Sequence, residues 1–472
     1  MPPVSQSKIT SELVQEIINE TEQRDGESTE AIVIIDHKET PISRYDKDRK
    51  VFLREDGSSR SISAKKVQFN RLQAFRERYE IINQRVMRNE IFEKKKFVQD
   101  STYQEISSIT SLRRNPGQSS CVLGLLTQPK EGKFHLEDLT GEIEIDLSNA
   151  DTSVGLFTEN CVVVAQGMMK GDIFVVQVLA MPPAEDRKET CRIFPTLSVP
   201  TNRKPYTNEE LESLRAEESQ QAGTRVIVLS DVWLDRAKVM NGLKMMLFRY
   251  DSACKEAGED SDLFLIFVFM GNFTSQPAPK NYTLHRELFD QLGTIIQSFK
   301  NLENKSSFIF IPGPNDVLGS NGMILPRNSL PTVITEPFKN KVPSSTFTSD
   351  PCRIKFYSQE LLFHRDDICS KLRQYSRRPS NTEKSVYEHA AKTILCQGHL
   401  CPLPLHVAPI DWNYDHALRM YPLPNVLILG DKASAYTITF KSTQVANPGC
   451  FASDFTFYSY DPSIKELELC AL

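Results

Sequence analysis

Four short apolar runs, each stopped by a polar turn, constrain this chain more than any other feature. R-V-I-V-L stops at Ser230-Asp231, L-F-L-I-F-V-F-M at Gly271-Asn272, F-I-F-I at Pro312-Gly313-Pro314-Asn315-Asp316, and V-L-I-L at Gly430-Asp431. Each run has the length of a strand and no polar alternation, so each reads as a strand buried on both faces. Layered α/β folds build sites in the loops beyond the carboxyl ends of such strands. Asp231 and Asn272 each sit one step past such an end.

The intervening segments complete a layered α/β unit over residues 225–472. V-M-N-G-L-K-M-M-L-F-R-Y, after Asp231, is a helix packing back on the first strand. Leu284 to Phe299 is a second helix, with Leu288, Leu292, Ile295 and Ile296 inward. Thr346 to Phe363 and Thr437 to Tyr460 carry further β-structure. The expected result is an α+β, multi-domain chain whose large domain is a β-sandwich flanked by helices.

Residues 101–183 read as a β-barrel of the OB type. C-V-L-G-L-L-T is followed by a hairpin in which Phe134, Leu136 and Leu139 face Ile143, Ile145 and Leu147 across Thr140-Gly141; two more strands flank Lys170-Gly171-Asp172. OB barrels that hold single strands use basic and stacking side chains. Here the polar positions carry Glu137, Asp138, Glu142, Glu144 and Asp146, and Phe134, Phe157 and Phe174 suit the core. An acidic face repels phosphate, which favours a structural or protein-binding barrel over single-strand binding.

Residues 1–68 are expected to be a partial N-terminal helical region and connector. Ile9, Leu13 and Ile17, with Val14 and Ile18 beside them, mark one amphipathic helix; A-I-V-I-I-D has strand character, and Pro41 to Arg60 is a connector or small hairpin. Residues 69–100 hold a helix leading into the barrel. Leu72, Phe75, Tyr79, Ile82 and Val86 form its apolar stripe, while Arg71, Arg76, Arg78, Arg85 and Arg88 crowd the rest. Such a face is either solvated or a basic surface for DNA, and the solvated reading is preferred. The same choice holds for Lys94-Lys95-Lys96, a localisation patch or solvated charge, and three lysines are few for the former. Residues 184–224 read as a linker with one solvent-exposed acidic helix, E-E-L-E-S-L-R-A-E-E.

Composition limits the partners. The net charge of −5 and pI near 6 argue against a chain held mainly by phosphate contacts. Ten cysteines are scattered without C-x-x-C spacing, so free thiols in a reducing compartment are expected. The start lacks an apolar signal core, and the longest apolar run, Leu263 to Met270, is too short to span a bilayer.

The four strand ends are similar to the skeleton of the calcineurin-like binuclear metallophosphoesterases, which carry D-x-H, G-D-x-x-D, G-N-H-D or G-N-H-E, a lone His, and G-H-x-H. The resemblance places Asp231-Val232-Trp233 at the first motif and Gly271 to Ser275 at the second. Gly313-Pro314-Asn315-Asp316 falls at the third and Gly430-Asp431-Lys432-Ala433 at the last, with His399 as the lone His. Trp233, Pro314 and Ala433 offer no metal-binding lone pair. Asn272 and Ser275 are neutral where carboxylates would offset two dications. Asp231, Trp233, Asn272, Ser275, Pro314, Asn315, His399, Asp431 and Ala433 are thus vestigial positions, with no catalytic residue and no metal or other cofactor expected. His399 lies between Cys396 and Cys401, but a fourth zinc ligand is lacking.

S-D-V-W-L-D, G-N-F, P-G-P-N-D and Q-G-H-L-C-P-L-P-L together resemble the B subunits of replicative DNA polymerases, the epsilon type in particular, from about residue 70 to the end. That family carries an OB-fold docked on an inactivated phosphoesterase domain. The resemblance implies a non-catalytic accessory subunit in the nucleus that holds the zinc-binding C-terminal region of the catalytic subunit of DNA polymerase epsilon. The small histone-fold subunits would be met indirectly, and DNA mainly through the complex. The family begins with a small helical bundle that contacts the replicative helicase, and this chain holds only its last part. Two alternatives stand beside this reading: a phosphodiesterase or nuclease with one metal at Asp231 and His399, and a single-strand DNA-binding OB protein.

Overall fold

The computed structural model describes residues 32–54, 71–93, 104–114, 117–198, 206–258, 261–277, 281–303, 305–316, 323–376 and 383–472. The helix expected over Ile9 to Ile18 and the patch Lys94 to Lys96 lie outside these residues.

The A-I-V-I-I run forms β1 (Ile32–Ile35), which pairs antiparallel with Cys352–Phe356 far downstream. The next segment is a hairpin, β2 (Ser43–Asp46) and β3 (Val51–Arg54). Phe52 turns inward there, its ring centroid 4.9 Å from that of Phe194 and 5.5 Å from that of Tyr421.

Helix α1 (Arg71–Val86) keeps Arg71 and Arg76 solvent-exposed as expected but overturns the expectation for the others. Arg78 and Arg85 are buried, whereas Leu72 is 75% exposed. Arg78 pairs with Asp415, its Nε 3.1 Å from Oδ1. Arg85 donates to the carbonyl of Cys396, and Arg88, one turn on, reaches Glu185 at 2.8 Å. These side chains are neither a solvated face nor a DNA surface; they bolt the helix to the downstream domain. Ile82 and Val86 are buried as the spacing indicates.

The barrel contains β4 (Ile106–Ser107), β5 (Ser119–Lys130), β6 (Lys133–Glu137), β7 (Glu142–Asp146), β8 (Asp151–Thr152), β9 (Val162–Lys170) and β10 (Ile173–Ala180). Pairings run β5 to β6 to β7 to β10 to β9 and back to β5, so the sheet closes on itself. The hairpin register sets Phe134 opposite Ile145 and Leu136 opposite Ile143. Leu139, expected inward, lies exposed in the turn. The carboxylate of Asp138 shapes that turn, accepting from the backbone N–H of Thr140 at 2.7 Å and Gly141 at 3.0 Å.

Residues 184–224 do more than connect. In α2 (Arg187–Ile193), Arg187 is buried and ion-paired to Glu360 at 2.8 Å; beyond it, Phe194 and Leu197 join the core around Phe52. The acidic run forms α3 (Asn208–Gln220), opened by a capping box between Thr207 and Glu210. Most of α3 is exposed as expected, but Leu214 and Glu218 are buried, and Glu218 accepts from Ser358 Oγ at 2.6 Å.

Beyond lie β11 (Thr224–Ser230), α4 (Ala237–Ala257), β12 (Phe264–Met270), α5 (Tyr282–Gln297), β13 (Ser306–Ile311), α6 (Thr332–Lys341), β14 (Ser345–Phe347), β15 (Cys352–Phe356) and β16 (Gln359–Arg365). They are followed by α7 (Ile368–Tyr375), α8 (Val386–Gln397), β17 (Val426–Gly430), β18 (Tyr436–Phe440), β19 (Thr443–Asn447), β20 (Thr456–Asp461) and β21 (Glu466–Ala471). One sheet has the order β14-β13-β12-β11-β20-β21 and the other β1-β15-β16-β17-β19-β18. The first three apolar runs are adjacent parallel strands of one sheet; the fourth belongs to the other.

Three apolar layers result. Val226, Val228, Ile266, Val268, Ile354 and Ile428 fill the space between the sheets. Ile227, Leu229, Phe267, Phe269, Phe308 and Phe310 face the helices α4, α5 and α6. In α5, Leu288, Leu292 and Ile296 are buried, and Ile295, half-buried, packs against the same core. The outer face of the second sheet, with Leu362, Leu427 and Val445, shares one continuous core with the barrel interior and α8.

Polar contacts fix that seam. Gly155 N donates to His389 Nδ1 at 2.9 Å and Leu156 N to Thr393 Oγ1 at 2.7 Å. Gln397 exchanges two 2.8 Å bonds with the backbone of Val162. The barrel and sandwich therefore pack as one body.

Candidate functional site

Because β11, β12 and β13 are adjacent and parallel, their carboxyl ends meet along one rim. Asp231 leaves β11 with φ of 54°, a left-handed conformation that Asp tolerates better than most side chains, and is fully buried. Its Oδ1 accepts from Asn272 N at 3.2 Å, Asn272 Nδ2 at 3.1 Å and Arg365 Nη2 at 2.7 Å. Asn272 Oδ1 accepts in turn from Asn315 N at 2.9 Å. Asp316 accepts from Phe273 N and from Gly313 N, both at 2.7 Å. The three turns are thereby laced together through amides and carboxylates.

The second sheet supplies Arg365. It ends β16, opposite Gly430 of β17, and is fully buried. Besides Asp231 it donates to the carbonyls of Gly271 and Gly430, the latter at 2.8 Å, and to Asp367 Oδ1 at 3.0 Å. Burial opposes its charge, but Asp231 and Asp367 outweigh that penalty and raise its pKa. Burial pushes Asp316 up to about 6 against its two N–H donors. Asp431 is also raised by burial; its Oδ2 accepts from Cys369 N at 2.7 Å, in the first turn of α7. Asp366 lies on the other side of its ordinary range, because Arg327 and Lys371 overcome the cost of burial.

The remaining expected positions separate from this cluster. Trp233 packs half-buried on the helical core, its N–H donating to the Asp231 carbonyl at 3.1 Å. Ser275 turns to Asp235, with N and Oγ bonds of 2.8 and 2.5 Å. The Ala433 carbonyl accepts from Asn447 Nδ2 at 2.9 Å. Pro314, Asn315, Asp316, Arg327, Asp366 and Lys371 are among the residues lining a cleft of about 480 Å³.

His399 belongs to the seam with α1. Its Nδ1 accepts from Cys401 N at 3.0 Å, and its Nε2 is 3.4 Å from Asp415 Oδ1. Burial, reinforced by Arg78, lowers its pKa to about 4. Asp231 and His399 hold different partners, Asn272 and Arg365 for the one and Cys401 and Asp415 for the other. Cys396 and Cys401 are buried thiols with raised pKa values, Cys401 at about 12, again by burial. Among the described residues, no group of three or more His, Cys, Asp or Glu side chains is placed to hold a metal ion.

Sequence reasoning misses Arg365. A signal for it exists: Q-E-L-L-F-H-R-D-D is a fifth strand closed by a polar stop. Its significance depends on β16 lying beside β17, which sequence spacing does not reveal.

Comparison with known proteins agrees with this architecture. The family model described as DNA polymerase epsilon subunit 2-like, OB-fold domain matches residues 68–183, and that of the B subunit of DNA polymerases alpha and epsilon matches residues 226–439. The B subunit of DNA polymerase epsilon from Arabidopsis thaliana is 39% identical over 454 residues, 94% of this chain and 84% of that protein. The chain belongs to the family of DNA polymerase epsilon B subunits. The Homo sapiens DNA polymerase epsilon subunit 2 is 35% identical over 99% of this chain and 88% of its own length. A solved archaeal phosphodiesterase aligns with 52% of this chain and 99% of its own at 15% identity, with a TM-score of 0.27, too distant to transfer any residue. As a member of the epsilon family, the chain is an accessory subunit of a replicative DNA polymerase, with an OB-fold domain over residues 68–183. Among its described residues no helix is long and apolar enough to cross a membrane.

Proposed function

We propose that this chain serves the polymerase by assembly and not by hydrolysis. The observation that carries the reading is the engagement of Asp231 through Oδ1; its Oδ2 is buried without a hydrogen-bond partner among the described residues, a single orphan oxygen beside a guanidinium. Its buried Oδ1 already accepts from two Asn272 donors and from the guanidinium of Arg365. Two dications at the strand ends would need several anionic or imidazole ligands converging on open positions. Here Asn272 is neutral, Ser275 is drawn to Asp235, His399 is held at another seam, and a cation is already among the donors. The residues present do not suit a dinuclear centre, so Asp231, Trp233, Asn272, Ser275, Pro314, Asn315, His399, Asp431 and Ala433 are read as vestigial.

A rigid scaffold is the use that remains. The core shared by barrel and sandwich supports it, since a docking surface spanning both parts keeps its shape without a partner. By family resemblance the partner is the zinc-binding C-terminal region of the catalytic subunit, in the nucleus. The histone-fold subunits are reached indirectly, and a helicase contact lies towards the N-terminus. DNA is met mainly through the complex, in keeping with the acidic strands of the barrel. Co-expression with the C-terminal region of an epsilon catalytic subunit tests this: a complex that survives gel filtration is expected, and separate elution of the two chains would count against it.

A further inference from the structure

We propose that the guanidinium of Arg365 is a built-in cation at the strand ends, standing where a hydrolase of this skeleton would hold metal and clamping the two sheets of the sandwich together. The inference rests on the non-hydrolytic reading above and adds what fills the position.

The side chain starts on the second sheet and crosses to the first. Its Nε donates to the carbonyl of Gly271, at the end of β12; Nη1 donates to the carbonyl of Gly430 and to Asp367; Nη2 donates to Asp231, just past β11. Four of its five N–H donors are thus satisfied by oxygens from both sheets. The acceptors are two carbonyls and two carboxylates, the hard oxygen donors that also suit a divalent cation. A planar fork meets them from fixed directions, which the single nitrogen of a lysine does not reproduce.

Steric fit gives independent support. A Cβ on Gly430 would lie 2.8 Å from Arg365 Cδ and 2.7 Å from Ser230 Oγ. A Cβ on Gly271 would lie 2.0 Å from Asp316 Oδ2. The two glycines of the apolar-run stops are therefore what lets this side chain and the buried carboxylates approach the backbone. Without Arg365, Asp231 would be a buried carboxylate with only the Asn272 donors, facing two carbonyl dipoles of the same sign.

The test uses the full chain as Arg365→Ala and Arg365→Lys, with thermal midpoints read in low-millimolar methylguanidinium, methylammonium or Mn²⁺. Arg365→Ala is expected to lower the midpoint by about 5 °C, with methylguanidinium restoring part of the loss and equimolar methylammonium restoring less. Arg365→Lys, which keeps the charge and loses the fork, is expected to fold with a lower midpoint than wild type. Wild type is expected to show no shift with Mn²⁺. A Lys variant as stable as wild type, a folded Ala variant indifferent to methylguanidinium, or a wild-type chain stabilised by Mn²⁺ would each overturn the proposal. Should the Ala variant fail to fold, the Lys variant and the wild-type Mn²⁺ titration decide. Hydrolysis by the wild-type chain would instead remove the non-hydrolytic reading, so the two failures are distinguishable.

Discussion

Replacing Asp415 with Asn should cost this protein more than any surface charge change on α1. Asp415 is fully buried and accepts from Arg78 and, at 2.9 and 3.0 Å, from Arg419. Burial alone would raise its pKa, yet Arg78 and Arg419 hold it well below the usual carboxylate range. Asp415→Asn preserves shape and removes the charge. Arg419 keeps Glu77 at 2.7 Å, but Arg78 loses its ion-pair partner in a buried setting. Breaking a buried pair in this way costs about 3 kcal/mol, near the lower end of the range because the amide oxygen still accepts. In one body of roughly 400 residues that lowers a thermal midpoint by roughly 3–5 °C. The control is Arg76→Met, which removes an exposed i,i+4 pair with Glu80 at 3.3 Å and should change stability by about 0.5 kcal/mol or less. Differential scanning fluorimetry of the full chain reads both. Equal midpoints for the two variants would refute the claim that the α1 arginines bind the helix to the sandwich.

Mild acid should weaken the fold through its buried histidines. His399 and His416 are both lowered to about 4, chiefly by burial, so the unfolded chain takes up their protons first as pH falls below about 6.5. Their contribution is present near neutral pH and lost as pH falls from about 6.5 towards 4, by roughly 1 kcal/mol each at pH 5.5. Asp316, raised to about 6, has the opposite sign and returns just under about 1 kcal/mol over the same interval. Urea midpoints at pH 7 and 5.5 should therefore differ by a net loss on the order of 1 kcal/mol, and a gain on acidification would contradict the assignment. Phe310→Ala should cost about 3–5 kcal/mol by urea unfolding, since the ring is fully buried and stacks on Phe269 and Phe347 at centroid distances of 5.1 and 4.7 Å. A loss of about 1 kcal/mol or less would mean that this layer repacks freely. The isolated chain should show no salt-dependent binding to oligo(dT) by fluorescence anisotropy, even at low salt; binding that weakens as salt rises would reinstate the barrel as a single-strand reader.

Double-buried strands are legible because they leave no polar alternation, which is why the runs ending at Asp231, Asn272, Pro312 and Gly430 stand out directly. The barrel hairpin is legible for the opposite reason, its strict alternation around Thr140-Gly141. Arg78 and Arg85 are misread because a helical wheel treats any charge as solvent-facing. Arg78 meets Asp415 across 337 positions and Arg85 meets Cys396 across 311, distances at which sequence periodicity carries no information. Glu218 on α3 escapes notice similarly, being buried against Ser358 on the same turn that exposes its neighbours. At the strand ends, the missing ligands can be counted from sequence, whereas what replaces them requires the pairing of β16 with β17.

The central claim is that Asp231 Oδ1, Asn272 and Asp316 at the strand ends of this polymerase accessory chain are engaged internally and face a guanidinium in place of metal. Its most direct test is turnover of bis(p-nitrophenyl) phosphate by the purified chain in Mn²⁺, beside Asp231→Ala. Both are expected to match the protein-free blank. Mn²⁺-dependent hydrolysis by the wild-type chain that disappears in Asp231→Ala would contradict it.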